Sequence, residues 1–352
     1  MGLDQEKVLH FRITSVRDET PQAKTYELER LGSREPAYKP GQFLTFIIRT
    51  GQQELRRSYS ILTLPGEPLK ITVKKVDNGA ISRYIIQHWK EGTEVTSLLP
   101  SGRFSISPQQ EKQRDVFCFA AGSGIVPILP QIRFLLKEES QSTIHLIYSN
   151  HSESHALFMS EIEDMSARYT NFRLKLLFSD PQRRLKDQGH LSNLFLESYV
   201  RQELSHGKED AVFLVCGPFT YMRMIQIMLG FMHFRKDQVL KENYIPEVMR
   251  SGAVHHPAFP ETNVLITGHG ARHSIKVPSG KDILSSALEQ GLPLPYSCRG
   301  GVCGNCALLC RSGRVQMSIN EVLTDEDMKQ GWVLTCTGFP AEENTVLEIL
   351  QN

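Results

Sequence analysis

The chain has 352 residues, enough for two or three domains that each bury a core. Its 40 Lys+Arg against 39 Asp+Glu leave no basic field of the kind that holds nucleic acid. Met1-Gly-Leu-Asp-Gln-Glu6 lacks the positive start and apolar core of a secretory signal, and Glu6 breaks the myristoylation pattern. The uncharged run 116–132 is broken by Gly122, Gly124, Pro127 and Pro130 and is shorter than the ~20 residues of a membrane span. These features predict a cytoplasmic protein.

From about residue 8 to 107, short apolar runs alternate with turn residues. Phe43-Leu-Thr-Phe-Ile-Ile and Leu69-Lys-Ile-Thr-Val read as half-buried strands, and Pro40-Gly41, Pro65-Gly66, Asn78-Gly79 and Ser101-Gly102 as turns, which predicts a small antiparallel barrel. Within it, Arg57-Ser58-Tyr59-Ser60 follows a strand. An arginine there can pair with a pyrophosphate, a tyrosine can stack on a flat ring, and a serine can bond the ring's polar atoms, a set that suits a flavin. A surface arginine beside a strand tyrosine has the same sequence. The order of this motif before Gly79-Ala80-Ile81-Ser82 and Pro100-Ser-Gly-Arg-Phe104 favours the flavin. Gly79 to Ser82 opens a helical stretch whose free N–H groups can hold phosphate oxygens.

From about 114 to 248 the pattern changes. Strand-like Val116–Ala120, Thr143–Tyr148, Phe172–Phe178 and Ala211–Cys216 alternate with helical Pro127–Lys137 and Phe219–Met232, which predicts a parallel sheet covered on both faces. Gly122-Ser-Gly124-Ile-Val-Pro127 follows a strand and opens a helix. It is not the complete dinucleotide fingerprint, because Pro127 stands at the third glycine, but its glycines let a pyrophosphate approach the backbone. Cys216-Gly217-Pro218 ends the last strand, at the edge where open α/β sheets carry ligands. Its thiol could sit beside the nicotinamide C4 during hydride transfer; as a single residue it fits a buried core position as well.

Ile245 to Asn263 contains three prolines and adjacent histidines and reads as a linker. Beyond it, Lys281–Gln290 places Ile283, Leu284, Ala287 and Leu288 on one helical face, with Gly291 to end the helix. Then comes the most specific signal, Cys298-x4-Cys303-x2-Cys306 completed by Cys336, the spacing of a plant-type [2Fe–2S] cluster. Four thiolates complete tetrahedral coordination at two irons, and Gly300, Gly301 and Gly304 let N–H groups approach the sulfurs. A zinc site would show paired short knuckles, and a redox dithiol would need neither Cys298 nor Cys336. Cys310 reads as a small buried hydrophobe.

With these motifs in this order, the chain resembles the ferredoxin–NADP reductase superfamily over nearly its whole length, and in particular the oxygenase reductases with a C-terminal ferredoxin domain, such as those of phenylacetyl-CoA epoxidases. The resemblance implies a flavin-binding β-barrel (1–110), an NAD(P)-binding α/β domain (111–246), a linker (247–262) and a β-grasp [2Fe–2S] domain (263–352). It places Arg57, Ser58, Tyr59 and Ser60 on the flavin, with Gly79, Ala80, Ile81 and Ser82 on its phosphates. Gly122, Gly124, Pro127, Cys216, Gly217 and Pro218 would serve the nicotinamide nucleotide, Cys216 and Ser60 beside the reacting atoms, and Tyr244 in Glu242-Asn-Tyr244 would shield the flavin ring. The resemblance favours FAD, although the same helix start could hold the terminal phosphate of FMN. Tyr148-Ser-Asn-His151 and Ser179-Asp180 depart from the family's Tyr-Gly-Asn-Arg and Ser-Arg, which leaves NADPH and NADH both open, with Arg183 and Arg184 as candidates for a 2′-phosphate. Asn243 stands where the family has arginine.

Electron count then gives the activity. NAD(P)H donates two electrons at once and the cluster accepts one, so a flavin between them divides the pair for a separate acceptor protein, such as an oxygenase or desaturase component. Segment 263–352 carries a net charge of about −2, so the expected partner presents a weakly basic face. The competing reading is a redox-sensing or electron-storing binding protein; a self-contained oxygenase would need haem or di-iron ligands that the sequence does not show.

Overall fold

The computed structural model describes residues 8–32, 35–50, 53–76, 79–109, 111–180, 189–243, 259–268 and 270–350. These form two compact units, one with the first two sheets and the other with the C-terminal sheet.

The first sheet contains β1 (Val8–Thr20), β2 (Ala23–Arg30), β3 (Phe43–Thr50), β4 (Gln53–Ser60), β5 (Leu69–Lys74) and β6 (Glu94–Leu98) in the order β4-β3-β6-β1-β2-β5. Alternation along β1 sends Leu9, Phe11 and Ile13 inward. An isolated antiparallel bridge between Ile61 and Ile71 joins the chain just past β4 to β5, so the two edges of the sheet meet as the expected barrel requires. Helix α1 (Ala80–His88) buries Ile81 and Ile85 in the core that also holds Tyr26, Phe46 and Trp89.

The second sheet is wholly parallel. It contains β7 (Asp115–Ala121), β8 (Thr143–Asn150), β9 (Phe172–Phe178), β10 (Val212–Cys216) and β11 (Val239–Glu242) in the order β11-β10-β7-β8-β9. The connections run through α2 (Ile125–Glu138), α3 (Met159–Arg168), α4 (Asn193–Glu203) and α5 (Phe219–Phe231). Strands β8 and β9 are added on one side of β7 and β10 on the other. The order therefore reverses between β7 and β10, and a crevice opens at their carboxyl ends.

Barrel and parallel sheet share a core, in which Leu62, Phe104 and Ile106 pack with Val116, Ile128 and Leu146. A buried ion pair ties down the segment between them. The Arg114 guanidinium donates to both Glu139 carboxylate oxygens, at 3.1 and 2.5 Å, and Ser142 Oγ and the Gln109 N–H complete the shell at 2.8 Å each. At the opposite end of the sheet from the crevice, Asp115 accepts from the N–H groups of Ser205 and His206 and from Ser205 Oγ, at 2.7–2.9 Å, and faces His145 Nε2 at 3.4 Å. Burial pushes this carboxyl up, but the bonds from His145, His206 and Ser205 outweigh it and hold it below the usual carboxylate range.

The third sheet contains β12 (Thr262–Gly268), β13 (Ala271–Val277), β14 (Ala307–Ser312), β16 (Trp332–Leu334) and β18 (Thr345–Glu348) in the order β13-β12-β18-β14-β16. A small ladder pairs β15 (Val315–Met317) with β17 (Gly338–Pro340). Helix α6 (Ile283–Glu289) starts where Asp282 accepts the Ser285 N–H at 2.8 Å and packs Ile283, Leu284 and Ala287 inward. A short acidic helix, α7 (Asp325–Lys329), follows with a Thr324–Asp327 capping box. Cys310 on β14 is half-exposed rather than buried as expected, and its Sγ lies 3.3 Å from the Ser312 carbonyl. The register shift in the β14–β18 ladder between Cys310 and Ser312 displaces it from the regular inward alternation.

Candidate functional site

The cluster loop lies between α6 and β14. Cys303 and Cys306 are buried, Cys298 is half-buried, and Cys336 is buried just beyond β16. Their thiols interact pairwise, Cys298 with Cys303 and Cys336, and Cys336 with Cys306. Bonds from Cys303 and Cys336 hold the Cys298 thiol low, the bond from Cys336 does the same for Cys306, and Cys303 and Cys336 are pushed up in turn. Ligation would take all four as thiolates, with release of their protons to solvent. The Gly300 N–H donates to Cys298 Sγ at 3.3 Å. Gly301 has φ of +74°, and a Cβ there would lie 2.6 Å from the Ile319 carbonyl oxygen, so the tight wrap requires glycine. Among the described residues no three His, Cys, Asp or Glu side chains converge as ligands of a single ion. Four mutually interacting thiols, with the Gly300 N–H on Cys298, suit two bridged irons with two thiolates each, and the residues fit the cluster.

On the barrel, Arg57 to Ser60 end β4, next to β3. Tyr59 is half-buried, with its ring 6.2 Å from Phe46, and Ser60 is buried. Arg57 Nη1 donates to the Arg56 carbonyl at 2.7 Å. Gly79 caps α1 without a side-chain cap bond, so the N–H groups of Ala80, Ile81 and Ser82 open the helix with no carbonyl of its own to meet them. That fits a flavin phosphate. The side chains do other work: Ile81 packs into the barrel core, and Ser82 Oγ donates to the Gly79 carbonyl at 3.2 Å and accepts from Val76 N at 3.1 Å.

At the reversal of the parallel sheet, Gly122–Gly124 turns directly off β7 into α2, with Pro127 buried in the first helical turn. Cys216, which ends β10, pairs in register with Ala120, so Gly217 and Pro218 lie beside that turn. A Cβ on Gly124 would lie 2.1 Å from the Cys216 carbonyl oxygen, so the two backbones meet as only glycine allows. The turn is also pinned by Tyr148, whose Oη donates to the Gly122 carbonyl at 3.3 Å. Here a cleft of about 760 Å³ is lined by Gly122, Ser123, Gly124, Gly217 and Pro218, by the end of β8, and by Lys74 from the barrel. Burial lowers the Lys74 ammonium. A larger cleft of about 850 Å³, containing the Glu67–Arg133 ion pair and Glu161, holds none of the sequence motifs.

The structure thus brings together Gly122, Gly124, Gly217 and Pro218, and separately the four cysteines. Cys216 is fully buried in the core and does not line the cleft among the described residues. Tyr244, Arg183 and Arg184 and linker residues 247–258 lie outside the described residues. Tyr148 and Asn150 belong to the Tyr148-Ser-Asn-His151 stretch that the resemblance sets at the nucleotide, and they end β8 at this cleft. Lys74 is the lining residue that the sequence does not flag; its signal is position alone, at the end of β5.

Comparison with known proteins agrees with this geometry. Residues 119–227 match the oxidoreductase NAD-binding domain, and residues 266–341 match the 2Fe-2S iron-sulfur cluster binding domain. The chain is 30% identical over 344 residues to a component of the 1,2-phenylacetyl-CoA epoxidase of Escherichia coli (strain K12), covering 96% of each. It is 27% identical over 355 residues to the ferredoxin reductase component of 3-ketosteroid-9-alpha-monooxygenase of Mycolicibacterium smegmatis (strain ATCC 700084 / mc(2)155), again covering 96% of each. Its fold is similar to that of phthalate dioxygenase reductase, with a TM-score of 0.59 at 23% identity over 97% of this chain and 98% of the other. Electrons pass from NAD(P)H through a flavin and a [2Fe–2S] cluster to a separate acceptor protein, and the chain carries the parts for each stage. The chain belongs to the family of oxygenase reductase components that join an NAD-binding oxidoreductase domain to a [2Fe–2S] domain.

Proposed function

We propose that this protein is the reductase of a multicomponent oxygenase or desaturase, with a phenylacetyl-CoA epoxidase-type enzyme as the first acceptor to test. The observation that carries this reading is the presence on one chain of a glycine turn at a sheet reversal and of four interacting thiols, three in a glycine-rich loop and the fourth beyond β16. The similarity to the epoxidase component supports the choice of acceptor.

Bound FAD supplies a two-electron acceptor and the cluster a one-electron relay. In this reading Arg57 pairs with the flavin phosphates, Ser58 and Tyr59 hold the ring, and Ser60 bonds its polar edge. The N–H groups of Ala80, Ile81 and Ser82 receive phosphate oxygens at the start of α1, and Gly79 keeps that approach open. Gly122, Gly124, Gly217 and Pro218 seat the nicotinamide nucleotide against bare backbone. Pro127 presets the helix turn, and Cys216 acts through its carbonyl's contact with Gly124 as well as by filling the core. Cys298, Cys303, Cys306 and Cys336 ligate the irons. The boundaries 1–110, 111–246, 247–262 and 263–352 are kept as the domain plan. A cytoplasmic location is supported by free cysteines that stay reduced for metal.

The test is turnover of the purified protein. It should carry flavin and iron–sulfur absorption, oxidise NAD(P)H steadily with an artificial one-electron acceptor, and support product formation by a purified epoxidase or related oxygenase. Reduction of the bound centres without turnover would support the electron-storing alternative instead.

A further inference from the structure

Helix α2 begins at the Gly122–Gly124 turn, and its second turn carries Gln131, a polar residue with no exposed surface. Seven residues of helix, about 10 Å, separate it from Gly124. Both ends of its carboxamide are engaged. Gln131 Nε2 donates to the Pro127 carbonyl at 2.9 Å, one turn back on the same helix. Gln131 Oε1 accepts the Ile106 N–H at 2.9 Å, from the segment that leaves the barrel. Pro130, next to it, has no N–H for the Val126 carbonyl, so the first turn of α2 is laced by one backbone bond fewer. The side-chain bond to Pro127 restores part of that hold. The barrel is fitted to the same side chain. Gly41, with φ of +91°, passes so close that a Cβ there would lie 2.6 Å from Gln131 Nε2 and 2.0 Å from the Phe104 carbonyl oxygen. The carbonyl of the next residue, Gln42, accepts the Ile61 N–H at 2.9 Å, and Ile61 directly follows Arg57–Ser60.

Gln131 thus joins two strips of backbone: the first turn of α2, which opens at the nucleotide cleft, and the barrel wall at Gly41 and Phe104–Ile106, one hydrogen bond from the end of the flavin motif. The Arg114–Glu139 pair holds the C-terminal end of the same helix, so Gln131 holds the half nearer the cleft. An apolar side chain of similar size would fill the space without the cost of burying an amide. What the carboxamide adds is direction, because its donor and acceptor ends together fix the height and rotation of α2 against the barrel. We infer that Gln131 is a positioning residue for reduction of the flavin, holding the start of α2 at the spacing from the barrel that hydride transfer requires. A misplacement of about 1 Å between reacting groups costs on the order of 100-fold in rate, so a residue that touches neither can govern the step. The inference rests on the proposed seats of the nucleotide at the cleft and of the flavin at the end of β4.

The test uses the full-length protein loaded with flavin and cluster. Anaerobic stopped-flow with NADPH and with NADH gives the limiting rate of flavin reduction, and calorimetry with NADP+ and NAD+ gives affinity without turnover. Gln131→Leu keeps the volume and removes both bonds. Its limiting rate should fall about 10- to 100-fold while affinity changes less than about 3-fold and the flavin and cluster spectra hold. Gln131→Glu keeps both bonds when protonated, its O–H donating to Pro127 and its carbonyl accepting from Ile106, and loses the donor as a carboxylate. Burial raises that carboxyl above the ordinary value of about 4.3, so its proton leaves within the measurable range. Relative to the wild type at the same pH, its limiting rate should stay within about 3-fold at pH 6 and fall about tenfold or more by pH 9, at unchanged affinity. This ratio tests the same point in a folded protein even where Gln131→Leu fails to retain flavin. A Gln131→Leu protein with the wild-type rate, a loss shared equally between rate and affinity, or a Gln131→Glu ratio that is flat from pH 6 to pH 9 overturns the inference. A wild-type flavin that neither nucleotide reduces overturns the proposed function itself, and this inference with it.

Discussion

The cluster loop and the nucleotide cleft solve the same problem, holding a redox partner in place, with opposite economies of sequence. Three of the four cluster ligands fall within nine residues, and their chemistry resides in side chains. The cleft is gathered from the ends of β5, β7, β8 and β10, and much of its chemistry resides in backbone that glycine leaves uncovered. A site of the first kind fails when a ligand is replaced. A site of the second kind fails when a shape is lost, and its stability depends on the scaffold that brings distant strands together.

The sharpest way to test this contrast is to remove one thiolate. Cys298→Ser or Cys336→Ser should abolish the iron–sulfur absorption and lower reduction of a one-electron protein acceptor by roughly 100-fold or more, while flavin reduction by NAD(P)H changes little. Retention of the full cluster spectrum in either variant would break the comparison at its clearer end.

The scaffold comes next. Glu139→Ala leaves the Arg114 guanidinium buried without its carboxylate and should cost about 3–5 kcal/mol in denaturant unfolding of the barrel and parallel sheet. Gly124→Ala pushes a methyl against the Cys216 carbonyl and should cost ~2–3 kcal/mol, with a raised KM for the nucleotide and an unchanged cluster spectrum. A Gly124→Ala protein of normal stability and KM would show that the two backbones yield more easily than their contact implies.

The smallest effect concerns pH. Asp115 is held below its unfolded pKa, so its contribution is fully present above that value, near 3.9, and is lost as pH falls through the lower folded one. Asp115→Asn should therefore flatten acid destabilisation below about pH 4 by roughly 1–2 kcal/mol, seen as a smaller drop in Tm between pH 5 and pH 2. An unchanged acid limb would show that these bonds do not favour the charged form.

The same contrast explains what could be read in advance. Strands β3 and β5, helices α2, α5 and α6 and the [2Fe–2S] ligand set are written in local spacing, and Gly291 ends α6 with φ of +77° as its position suggests. Lys74 carries no motif, because what matters is the sheet edge on which its strand stops. Ser82 has a residue type that suits phosphate, but its hydroxyl is committed within its own turn, a choice set by three-dimensional proximity to Val76 and Gly79. Cys216 likewise looks like a reactive thiol at a strand end, while the alternation of a buried strand turns it into the core.

Contact between Gly124 and Cys216 also constrains how this protein can change over time. The wall that Gly124 meets is backbone, so no exchange of the side chain at 216 can make room for bulk at 124. A library that randomises position 124 should return almost nothing but glycine, whatever stands at 216.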